Sequence, residues 1–193
     1  MRDQQMKQAL TLTDQQYKQV IAFCSTRKHT LRDQTIVHIS FLAGLRAIEI
    51  AGLRVSDVYD DTGSVRTQFS ISGKQTKGGD ARTIYVSRKL RRVLEQYHAA
   101  IADRRSSAPL FQTQLRSSFS ANTMCQLFLQ IYKDCGIKGA SSHSGRRTFI
   151  TKLANTGINV RLLAALAGHS DISTTQRYID VNDTQLANAV ELI

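Results

Sequence analysis

The sequence predicts a mostly α-helical domain with one small antiparallel β-sheet, an α+β fold. Three observations carry this prediction. Apolar residues recur at helical spacing before residue 59 and after residue 87. Between these stretches lie two short β runs, the first alternating at period two. The nine residues separating the runs, GKQTKGGDA (73–81), are polar and contain three glycines, the composition of a hairpin connection. No linker or internal repeat interrupts the 193 residues. A single domain over 1–193 is therefore expected, with 1–12 as a lead-in and 182–193 as a C-terminal tail; a chain of this length buries about 70% of its unfolded surface.

The elements follow in order. TLTDQQYKQVIAF (11–23) carries Thr13 as N-cap and Gln16 three places on, a capping box ahead of Val20, Ile21 and Phe23. LRDQTIVHISFLAGLR (31–46) is a second helix, and Gly44 suits its end. His38, in this apolar helix, reads as a core or interface histidine. AIEIAGLRVSDV (47–58) reads as a short helix and turn. SVRTQFSIS (64–72) alternates Val65, Thr67, Phe69 and Ile71, and RTIYVS (82–87) is its partner strand. RKLRRVLEQYHAAIADRR (88–105) and SANTMCQLFLQIYKDCG (120–136) return to helical spacing. HSGRRTFITKLANTG (143–157) and INVRLLAALAGHS (158–170) form a helix pair with glycine stops. Ser173 is the expected cap of ISTTQRYIDV (172–181), and QLANAVELI closes the chain in an amphipathic pattern.

Composition excludes several classes. No apolar run approaches the ~20 residues of a membrane span. The N-terminal MRDQQMKQAL is polar and lacks the apolar centre of a signal peptide. A cytoplasmic protein, nucleoid-associated in a bacterial or phage-infected cell, is expected. Cys24, Cys125 and Cys135 are odd in number, scattered, and form no C-x-x-C pair, so neither a disulfide framework nor a zinc site is indicated. Lysine plus arginine is 26 against 15 acidic residues, a net charge of +11, which points to a polyanionic partner such as nucleic acid.

Three segments then line up: Gly44-Leu45-Arg46-Ala47-Ile48-Glu49; His143-Ser144-Gly145-Arg146-Arg147-Thr148; and Gly168-His169 followed by Tyr178. His143 precedes Arg146 by three residues, Arg146 precedes His169 by twenty-three, and His169 precedes Tyr178 by nine. This set resembles the tyrosine recombinase, or phage integrase, family, whose boxes are Gly-Leu-Arg-x-x-Glu and then His-x-x-Arg, Gly-His and Tyr. The resemblance covers about residues 13–181. It implies a catalytic domain that cleaves DNA through a 3′-phosphotyrosyl intermediate and rejoins it, for integration, excision, inversion or resolution, with no metal, ATP or other cofactor.

The chemistry fits these residue types. Metal-free phosphodiester cleavage must stabilise charge on the non-bridging oxygens. Arginine donates two parallel hydrogen bonds and keeps its proton. By resemblance, Arg46 and Arg146 are the clamp, Tyr178 the nucleophile, His143 a general base or phosphate contact, and His169 a phosphate donor beside the tyrosine. A phenol of pKa about 10 needs such a base and a positive pocket. A lysine in the turn of the small sheet would protonate the leaving 5′-oxygen. Lys77, five places before Arg82, is favoured over Lys74. Glu49 would support Arg46, and Lys74, Arg82 and Arg147 would contact the DNA.

The resemblance also implies double-stranded DNA with specific recombination sites as partner, a homotetramer on DNA from a monomer or weak oligomer, and room for an accessory DNA-bending protein. Only 45 residues precede Arg46. A short form resembling the fimbrial-switch inversion enzymes, without a separate N-terminal core-binding domain, is expected; a trimmed fragment is the alternative. The tail would dock on a neighbouring subunit or pack on its own domain. Gly145 stands where the family often has leucine, and is expected to loosen its helix start. The competing functions are relaxation of DNA like a type IB topoisomerase and non-catalytic DNA binding.

Overall fold

A computed structural model of the chain describes residues 9–72, 81–179 and 190–191. The chain divides into two compact units, Met1–Thr148 and Phe149–Ile193. Among the described residues the elements run α1 (Asp14–Cys24), α2 (Thr30–Ala43), α3 (Ala47–Gly52), α4 (Val55–Val58), β1 (Gln68–Ile71), β2 (Arg82–Tyr85), α5 (Arg88–Ala99), α6 (Ala121–Asp134), α7 (Ser144–Ala154), α8 (Val160–Ala167) and α9 (Ile172–Gln176). No helix among them is long and apolar enough to cross a membrane.

In the first unit the helix ends obey local chemistry. Thr13 Oγ1 accepts the Gln16 amide, and the Gln16 side chain returns a bond to the Thr13 amide, so the expected capping box closes. α2 stops three residues short of the apolar pattern because Gly44 takes the left-handed conformation (φ 65°). Leu45 then inserts fully into the core, and Arg46 emerges in extended backbone. β1 and β2 pair antiparallel with Phe69 opposite Ile84, and Phe69, Ile71 and Ile84 are buried. α5 ends at Ala99, well before the expected residue 105, yet Ile101 is still buried in the turn that follows. Tyr59, Phe111, Phe128 and Tyr132 are the largest of the fully buried side chains.

His38 is held neutral in that core. Its Nδ1 faces the Tyr17 hydroxyl. Burial, and then Asp14, raise the Tyr17 phenol above its ordinary range, so it keeps its proton and donates. Burial, helped by Lys89, pulls the His38 imidazole down to about 4. A group neutral when folded takes up a proton on unfolding at any pH between its two pKa values. Stability is therefore expected to fall as pH drops from about 6.5 to about 4, by on the order of 3 kcal/mol from this group. Urea unfolding across that window tests this; a His38→Gln variant with an unchanged pH slope would refute it.

Gly145 has a packing reason rather than a loosening effect. A Cβ there would fall on Ser40 Oγ and lie 2.8 Å from Phe41 Cδ2. At an open helical position Gly→Ala gains up to about 1 kcal/mol. Here Gly145→Ala is expected to lose about 1–3 kcal/mol through overpacking. Denaturant melts decide the sign.

The second unit is small. Ile150, Ala154, Leu163 and Ala167 form its core, with Phe149, Leu153, Ile158, Tyr178 and Ile179 packed against them. The Asn159 side chain caps α8 through the Arg161 amide, and Gly168 ends it in the left-handed conformation (φ 64°). Ser173 is not the cap of α9. Asp171 is: its two carboxylate oxygens accept the Ser173 amide at 2.8 Å and the Ser173 hydroxyl at 2.6 Å. The ionised carboxylate offers a separate oxygen to each donor.

Candidate active site

Arg46 owes its place to the end of α2. The left-handed Gly44 turns the chain, buried Leu45 anchors it, and Arg46 becomes the N-cap of α3. Arg146, far away in sequence on α7, donates from Nη1 to the Gly44 carbonyl at 2.8 Å. That carbonyl belongs to the last turn of α2, where helical acceptors lack partners. Arg146 is 5% exposed. Two arginines a hundred residues apart in sequence are thereby tied to one turn.

Glu49 lies behind Arg46 and is wholly buried. Its Oε2 accepts the Arg46 backbone N–H at 2.7 Å and Arg82 Nη2 at 2.7 Å, and its Oε1 accepts Arg46 Nη1 at 2.9 Å. Burial alone would raise this carboxyl, but the hydrogen bond and charge of Arg82, with those of Arg46, outweigh it and hold Glu49 below the ordinary carboxylate range.

Arg82, expected as a DNA contact, is ion-paired to Glu49, and its side chain is 8% exposed. Arg147, also expected on the DNA, donates from Nε to Thr11 Oγ1 at 3.1 Å. Next to it, the Leu12 amide donates to Thr148 Oγ1 at 2.9 Å, so the end of the lead-in is fastened to α7. His143 is exposed just before α7. The turn carrying it is fixed by Ser141 and the buried Ser144: the Ser144 amide donates to the Ser141 carbonyl at 2.9 Å, and the Ser141 amide to Ser144 Oγ at 3.0 Å. Lys74 and Lys77 lie outside the described residues.

In the second unit, the nine-residue spacing from His169 to Tyr178 brings the two rings together. They stack with centroids 6.0 Å apart and planes 25° apart. His169 Nδ1 is 2.9 Å from Thr175 Oγ1, and Thr175 is fully buried. The Tyr178 amide donates to the Thr175 carbonyl at 3.0 Å. Thr175 thus addresses both residues, and only its position inside the box could have marked it in the sequence. Among the described residues no group of three His, Cys, Asp or Glu is arranged to hold a metal ion.

The fold is that of tyrosine recombinase catalytic domains. The catalytic domain of bacteriophage HP1 integrase superposes with a TM-score of 0.68 at 22% identity, covering 95% of each chain. The Tn1549 transposon integrase, solved in complex with a circular intermediate DNA, gives 0.78 at 22% identity over 100% of this chain and 68% of that one. The phage integrase family model matches residues 11–185, and the chain belongs to that family. The tyrosine recombinase XerA of Pyrococcus horikoshii is 28% identical over 185 residues, which are 94% of this chain and 60% of that protein. The chain thus spans about three fifths of the length of such curated relatives.

Proposed function

We propose that this chain cleaves and rejoins double-stranded DNA at specific sites as the catalytic part of a tyrosine recombinase. The observation that carries this reading is the bond from Arg146 to the Gly44 carbonyl, two residues before Arg46. One arginine bonded to the turn that carries the other suits a clamp on the two non-bridging oxygens of a phosphate. Preorganised donors of this kind contribute roughly 3–4 kcal/mol each to a transition state. Family membership and the net charge of +11 support the same substrate class.

In this reading the Tyr178 hydroxyl attacks phosphorus and its proton passes to His143. The phosphorus–5′-oxygen bond breaks, leaving a 3′-phosphotyrosyl link, and the 5′-oxygen takes a proton from Lys77, or from Lys74 in its place. His169 donates to the same phosphate, while its Nδ1 side faces Thr175. A 5′-hydroxyl from a second strand then attacks the phosphotyrosine and releases Tyr178. The phosphotyrosine conserves the energy of the broken bond, so rejoining consumes no nucleotide. Recombination sites, a homotetramer on DNA and a nucleoid location in the cytoplasm complete the proposal. Lys74 and Arg147 serve it as backbone contacts.

The test is capture of the chain from expressing cells under denaturing conditions, followed by sequencing of covalently attached DNA. Attached DNA with a shared end sequence is expected. Its absence from cells supplied with the chain's native DNA would count against the reading. Attached DNA that relaxes supercoils without exchanging strands would favour a topoisomerase-like activity.

A further inference from the structure

We propose that Arg82 is a positioning residue for strand cleavage, orienting Arg46 through Glu49 rather than contacting DNA. This rests on reading Arg46 as a phosphate ligand. The geometry is direct. Arg82 Nη2 and the Arg46 backbone N–H share Glu49 Oε2, each at 2.7 Å, while Arg46 Nη1 holds Oε1 at 2.9 Å. The three groups form one chain from strand β2 to the start of α3.

Exposure separates the two arginines. The Arg46 side chain is 26% exposed and that of Arg82 8%. A guanidinium so covered offers little surface to a DNA phosphate. Charge supplies the function. Glu49 is a wholly buried carboxylate facing two cations. With Arg82 absent, its charge would fall on Arg46 alone and draw that fork onto itself. With Arg82 present, Arg46 gives Glu49 its backbone N–H and one guanidinium contact. Glu49 is the one partner of that guanidinium among the described residues. The remaining donors of the fork can then turn to a substrate oxygen. Arg82 also opens β2, so it links the start of that strand to Arg46 through Glu49.

The purified chain of residues 1–193 carrying Arg82→Met, Arg82→Lys or Glu49→Gln provides the test. On a duplex bearing the site recovered by covalent capture, Arg82→Met is expected to slow cleavage at saturating DNA by about 10- to 100-fold, the usual cost of losing a residue that orients an active group. DNA affinity and its salt slope should stay at wild-type values. Arg82→Lys keeps the charge but not the fork and should fall between. The reverse pattern overturns the proposal: weaker binding, a salt slope reduced by about one, and full cleavage at saturation are the signature of a phosphate contact. The pH profile adds a second reading. Without Arg82 only Arg46 opposes the effect of burial on the Glu49 carboxyl, so Arg82→Met cleavage should lose activity on the acid side at higher pH than wild type. A third reading needs no activity. In urea unfolding, Arg82→Met and Glu49→Gln should couple, the double variant being more stable than the single losses add up to. Additive losses would overturn the proposal. That reading stands even if the chain cleaves no DNA, so failure of the recombinase reading and failure of the Arg82 role are distinguishable.

Discussion

Tyr178→Phe is expected to abolish covalent attachment to DNA while leaving fold and DNA binding in place. The substitution removes one oxygen. The ring stays stacked on His169 and packed against the Ile150–Leu163 cluster. Loss of a single hydroxyl hydrogen bond costs about 1 kcal/mol, too little to unfold the chain. Loss of the nucleophile is a different order of effect. A nucleophile removed from a concerted catalytic set costs more than about 10³-fold in rate. Binding, dominated by Lys and Arg contacts to phosphates, should keep its affinity and its steep salt dependence. Denaturing capture, gel shift and urea melts on the same preparation separate the three quantities. Covalent DNA on the phenylalanine variant would sink the mechanism; lost binding with the fold intact would show that the hydroxyl serves affinity instead.

The second large effect is structural. Glu49→Ala is expected to destabilise the chain by about 3–5 kcal/mol, the range for breaking a buried ion pair by removing one partner. The reason is what remains. Arg46 and Arg82 both converge on the missing carboxylate, and the alanine leaves two like charges and their donors without it. The pH dependence has a definite sign. Glu49 titrates below its unfolded value because Arg82 and Arg46 overcome the effect of burial. Its stabilisation is present above the unfolded carboxylate pKa of about 4.3 and is lost as pH falls further, through the folded value. Wild-type stability should therefore drop below about pH 4.3 more steeply than that of Glu49→Ala. A loss under about 1 kcal/mol for Glu49→Ala would place the pair among the weak exposed bridges.

Much of this architecture was legible in the sequence, and the failures are local. Period-two alternation marked β1, a short β run marked β2, and helical spacing marked the long helices. Both patterns arise because one face of each element must be buried, and burial writes itself into spacing. Ends were less legible. The apolar pattern of α5 runs on to Ile101, but the helix stops at Ala99 because a buried residue can belong to a turn as well as to a helix. The cap of α9 moved from Ser173 to Asp171, since both types cap and only geometry chooses. Gly145 read as a defect in its helix; the neighbour that requires it, α2, lies a hundred residues earlier.

The site divides in the same way. The boxes around Arg46, His143, Arg146, His169 and Tyr178 could be read by order and spacing, because their chemistry fixes residue type. Ser141, Ser144 and Thr175, which fix the positions of His143, His169 and Tyr178, carry no such signature: any hydroxyl at the right distance would serve. Arg82 is the clearest case. In sequence it is one basic residue among 26 on a basic chain, and a DNA contact was the natural expectation. In the folded unit it is a covered cation on a buried carboxylate 33 positions away.

The sequence alone determined the helical and strand segments, the left-handed glycines that end α2 and α8, and the family to which the chain belongs. Each depends on residue type, spacing or backbone freedom, and these are local properties. Tertiary structure decided which charges are covered and which carbonyl Arg146 secures. It also decided which of the two arginines paired to Glu49 is covered and which is the more exposed. The strength of a charge or a hydrogen bond depends on solvent exclusion and partner distance, and both are set by residues far away along the chain.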